Sequence, residues 1–104
     1  MSETVTINAV AFQEGNAWVI QGIEYDIVAH TYDVQKVPEA FTRAVLENVA
    51  ITEHLGRKPL EGIKRAPERF REMYEKAHVE MRQLRSPNPA MTAPEVSVRL
   101  ADVA

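Results

Sequence analysis

Histidines, serines and a pair of carboxylates are the side chains of this 104-residue chain that could do chemistry. His30, His54 and His78 stand apart. None has the i, i+4 spacing that seats a metal on one helix face, and the chain has no cysteine to complete such a site. Ser2, Ser86 and Ser97 fall at a terminus, in a proline-rich stretch and in a strand-like run. None sits in the glycine-framed elbow that exposes a nucleophile. The four glycines are scattered, so neither a phosphate loop nor a dinucleotide fingerprint is present. Glu24 and Asp26 are the exception. Two apart, they would project to one side of a regular strand, where paired carboxylates can hold a divalent ion or act as acid and base. They lie in a turn-like join, however, which breaks that alignment. The expectation is therefore surface charge, no enzyme activity, no metal and no cofactor.

The charge distribution says more. Glu3, Glu14, Glu24, Asp26 and Asp33 precede the first basic residue, Lys36, so this block carries −5 within a chain of net charge −3. Whole-domain affinity for nucleic acid is disfavoured on that balance. Trp18 and Phe12 have no Lys or Arg beside them, unlike a single-strand-binding surface. The opposite charge collects later, where Arg57, Lys58, Lys64, Arg65, Arg69 and Arg71 surround only Glu61 and Glu68. That segment reads either as a solvated loop and helix start or, as the alternative function, as a nucleic-acid contact. Without cysteines, disulfides are excluded and a cytoplasmic location is expected. The N-terminus lacks the basic and apolar regions of a signal peptide, and no uncharged stretch approaches a membrane span.

The elements that position these residues follow from periodicity. Val5, Ile7, Ala9 and Ala11 share one side of a period-two pattern whose other side starts with Thr6 and Asn8, Glu14-Gly15-Asn16 is a turn signal, and Ala17 to Ile23 returns as a second strand. Gly22 inside that strand marks a bulge or a close approach. A third strand follows too soon for a crossover helix, which makes it antiparallel. Asp33 caps a helix in which Val37, Phe41, Val45 and Val49 recur every four residues, and Gly56 ends it. Pro67-Glu68 starts a second helix with a stripe of Phe70, Met73, Tyr74, Ala77, Met81 and Leu84. Ser86-Pro87-Asn88-Pro89 stops it. The expected strands cover about 4–13, 16–23, 27–32 and 95–101, the helices about 34–55 and 67–85, and a linker 86–94. This is one α+β domain: a two-layer fold with an antiparallel sheet, in the order β-β-β-α-α-β, and both helices on one face. Near the hairpin turn both sides of the ribbon are apolar, since Val10 and Phe12 oppose Val5 and Ile7, and Trp18 and Ile20 oppose Ala17 and Val19. Either a twist returns them to one core, or a second apolar surface serves self-association. The second reading makes a homo-oligomer the expectation.

The run INAVAFQEGNAWVIQGIEYDIVAHTYDVQKVPEAFTRAV resembles the HicB-like antitoxin family. Glu14-Gly15-Asn16 with Trp18 is similar to that family's turn. Ile23-Glu24-Tyr25-Asp26 takes the place of its loop before the third strand, and Asp33 to Val37 matches the start of its helix. The resemblance covers about residues 5–50, with Val96 to Leu100 as a closing strand. It implies a truncated ribonuclease-H-like sheet, β-β-β-α-β, without a catalytic carboxylate set. It also implies the antitoxin half of a toxin–antitoxin pair, whose partner is a small basic RNA-cleaving toxin. Partner-binding residues on this reading are Glu24, Tyr25 and Asp26 for charge and steering, with Trp18 and Phe12 as aromatic anchors. The alternative for the two aromatics is ordinary core. The chain departs from the family in lacking the Pro-Gly-Cys-like loop and a following DNA-binding segment, and in inserting residues 56–85 before the last strand.

Overall fold

A computed structural model of the chain describes residues 6–82 and 95–101. The α+β class is as expected, and among the described residues five strands form one sheet. β1 (Thr6–Glu14) and β2 (Ala17–Gly22) make the hairpin, joined through Gly15 at φ 64°, the positive angle that a type II′ turn requires at its first central position. β3 (Val28–Thr31) pairs antiparallel with β2. Asp33 then caps a single 3-10 turn by accepting the Gln35 N–H at 3.0 Å, and helix α1 (Val37–His54) follows with Pro38 in its first turn. A Schellman closure ends α1: Gly56 (φ 75°) and Arg57 donate to the carbonyls of Glu53 and Thr52.

The second helix is shorter than its spacing suggested. α2 (Glu68–Lys76) stops there, and residues 79–82 form a strand, β4 (Val79–Arg82), on the outer side of β5 (Glu95–Leu100). His78 therefore lies in the bend between α2 and β4 rather than on a helix. Residues 83–85, the linker 86–94 and the strand start at residues 4–5 lie outside the described residues. The sheet is mixed rather than antiparallel, because β5 runs parallel to β1. Its order is β3-β2-β1-β5-β4, so the last strand in the sequence sits inside the sheet. A buried strand can make that pairing because its backbone groups are satisfied by neighbours on both sides.

Alternation along the strands gives the sheet two sides. Helix α1 covers the side bearing Ile7, Ala9, Ala11, Ile20 and Val98, and Phe41 and Val45 fill the space between. Helix α2 meets the other set of positions: Phe70 stacks on Phe12 with ring centroids 6.0 Å apart, and the Tyr74 hydroxyl donates to Asn8 Oδ1 at 3.0 Å. The helices are thus divided between the two sides. The hairpin's second apolar surface is roofed largely from within the chain, with Val10 fully buried. Leu60, in the loop after α1, is also core. It is buried at φ 64°, strained for a bulky residue, and its N–H is held by Thr52 Oγ1 at 3.0 Å.

Candidate functional site

The acidic loop after β2 is tied to the sheet. Glu24 accepts two hydrogen bonds from Asn8, one from the backbone N–H at 2.7 Å and one from Nδ2 at 2.9 Å. Asn8 Oδ1 in turn receives the Tyr74 hydroxyl, and Tyr74 lies under the Arg99 guanidinium, 4.2 Å from the ring centroid. Arg99 also donates to the Tyr74 carbonyl at 3.3 Å. This strut joins the loop, β1, α2 and β5. Burial raises the Tyr74 phenol above its ordinary pKa; Arg99 opposes that rise, while Glu24 and Glu80 add to it. Glu80 itself lies on β4 and accepts from the Ser97 hydroxyl at 2.7 Å.

Asp26 is exposed, with Oδ1 accepting from Gln21 Nε2 at 2.8 Å and its N–H donating to the Lys64 carbonyl at 2.6 Å. Tyr25 packs against the core. Among the described residues, no group of three or more His, Asp or Glu side chains is placed to hold a metal ion. The two bonds from Asn8 give Glu24 a structural task. Glu24→Gln keeps the size but puts an amide N–H₂ against one of the two donors. We expect a loss of about 1–2 kcal/mol in urea unfolding, because charge-assisted bonds are strong and an orphaned donor is costly. An unchanged midpoint would mean that the strut contributes nothing.

The five residues read from the sequence as one binding set do not converge. Trp18 lies near the start of β2 and Glu24 in the loop beyond its far end, so the two are separated by the length of the strand. Phe12 and Trp18 fall on opposite sides of the hairpin: Phe12 reaches α2, while Trp18 packs against the main core. Phe12 belongs instead to a groove of about 480 Å³ between the hairpin and α2, lined by Phe12, Glu14, Val19, Gln21, Phe70 and Met73 together with Arg69. Its floor is apolar, and Arg69 sits over Phe70 at 4.7 Å. Sequence reasoning missed Phe70 and Met73 as groove residues, although the doubly apolar hairpin was the signal that something must cover it.

The basic set is solvent-facing along the loop and the start of α2. Arg71 is paired with Glu75 at 3.3 Å, Arg69 is engaged with Phe70, and Arg57, Lys58, Lys64 and Arg65 project from the loop 56–67. No protein-family model, curated protein or solved structure matches the chain. No helix among the described residues is long and apolar enough to cross a membrane.

Proposed function

We propose that this chain is a non-enzymatic protein-interaction module of the HicB-like antitoxin type, cytoplasmic and self-associating, whose partner is a small basic RNA-cleaving toxin. The charge of its first three strands carries the reading. From Thr6 through the Asp33 cap every charged side chain is acidic, and Glu14, Asp26 and Asp33 are exposed. Exposed acids steer an oppositely charged partner and set the salt dependence of the encounter. The element order adds support: three antiparallel strands, a helix and a strand returning beside β1 follow the order that the resemblance implies, with α2 and β4 as additions. The groove at Phe12, Val19 and Phe70 offers an apolar seat for an anchoring side chain.

The test uses the product of the reading frame beside this chain's own. A small basic protein encoded there should arrest growth when expressed alone, and this chain should relieve the arrest. The purified pair should form a complex that weakens about tenfold in the triple variant Glu14→Gln, Asp26→Asn, Asp33→Asn. Asparagine at position 33 keeps the cap, so the fold stays intact. Undiminished arrest, or no complex at about 10 μM in low salt, would overturn the reading.

A further inference from the structure

Among the described residues the edges of the sheet are β3 and β4, both four residues long, and they differ in the side chains they carry. β4 reads Val79-Glu80-Met81-Arg82, with charges of both signs, whereas β3 reads Val28-Ala29-His30-Thr31, with no lysine, acid or proline. Edge strands commonly carry such residues to block pairing with another chain. One hydrogen bond shows which backbone groups of β3 are open. The Gly22 N–H donates to the Ile27 carbonyl at 2.8 Å, so Gly22 and Ile27 form a bonded pair. In an antiparallel ladder, bonded pairs alternate with pairs whose N–H and C=O turn outward. Ile20–Ala29 and Trp18–Thr31 are then bonded, and Val28 and His30 direct their N–H and C=O groups to the open edge.

Those two residues are symmetric about Ala29. A second β3 running antiparallel, with a two-fold axis at Ala29, sets Val28 against His30 of the second copy and His30 against its Val28. The surroundings suit the same operation. Beside the edge, a cavity of about 190 Å³ is lined by His30, Thr31, Lys36, Glu39, Ala40 and Arg43. It carries both signs of charge, and Glu39 lies 3.6 Å from Arg43. A patch of mixed sign has groups of both charges to offer its own image across a two-fold axis. Val28 is 44% exposed and Tyr32 82% exposed, and a copy alongside would cover apolar surface there.

We propose that the chain dimerises by pairing β3 edges in this register, joining two sheets into one. The proposal rests on the self-association part of the function above and gives it a surface. A two-fold axis uses the β3 edge of both copies, so the arrangement closes as a dimer instead of extending into a fibre.

Light scattering across about 1–100 μM should give twice the chain mass for the natural protein. His30→Pro should give a monomer with an unchanged circular-dichroism spectrum, because that N–H faces outward and β3 keeps its own bonds to β2. The chain lacks cysteine, so Val28→Cys and His30→Cys each introduce a single thiol. Mixed under mild oxidant, the two variants should cross-link with each other far more than either does alone. A monomeric natural protein at all concentrations would remove self-association and this interface together. A dimer that survives His30→Pro and shows no 28–30 cross-link would remove the interface and leave self-association standing. Should the proline variant unfold, the cross-link alone decides.

Discussion

Phe41→Ala is expected to leave the domain barely folded. Phe41 is the largest fully buried side chain, at 0% exposure, and it fills the space between α1 and the sheet beside Ile20 and Val45. Truncating a buried phenylalanine removes its transfer energy and leaves a cavity, at a cost of about 3–5 kcal/mol. A domain of this size has about 5–15 kcal/mol in total. The midpoint of thermal unfolding should fall by about 15–30 °C. Urea unfolding followed through Trp18, the only tryptophan, gives the free energy directly. A loss below about 1 kcal/mol would show that the helix is not seated on the ring.

Gly22→Ala should cost about 2–3 kcal/mol although it adds one methyl group. A Cβ at Gly22 would stand 2.5 Å from the Tyr25 carbonyl oxygen and 3.0 Å from Phe41 Cζ. The ring can yield, but the carbonyl cannot move freely, because it accepts the Ile27 N–H at 2.8 Å within the turn that leads to β3. Adding Phe41→Leu to Gly22→Ala should therefore not recover the loss. A double-mutant cycle separates the two contacts. Recovery to the level of Phe41→Leu alone would assign the clash to the ring.

The hairpin and α1 were legible because their signals are local. The Gly15-Asn16 turn fixes the register of two alternating strands, and the four-residue recurrence of Val37, Phe41 and Val45 allows only a helix. Gly22 was legible as a close approach, though not its neighbour. β4 was hidden because Ala77 and Met81 also fit helical spacing, and pairing with a distant β5 outweighed that preference. The same distance in sequence concealed the parallel direction of β5. Leu60 gave no periodic signal, having only Ile63 as a bulky apolar companion in a charged loop. At the candidate site, Glu24 looked like free surface charge. Its bonds to Asn8, sixteen residues away, become visible only once the hairpin is folded.

The interior position of β5 has a consequence for biosynthesis. While Glu95–Leu100 is unmade or still inside the ribosome, β1 and β4 both lack a neighbour, and the core face under α1 lacks Val96 and Val98. The nascent hairpin and α1 can assemble early, and α2 can reach β1 through Phe70 and Tyr74, yet β1 and β4 are joined within the sheet only through β5. Closure of the sheet is thereby postponed until β5 has been translated. An early stop codon before residue 95 would cut out the keystone of the sheet rather than trim its border.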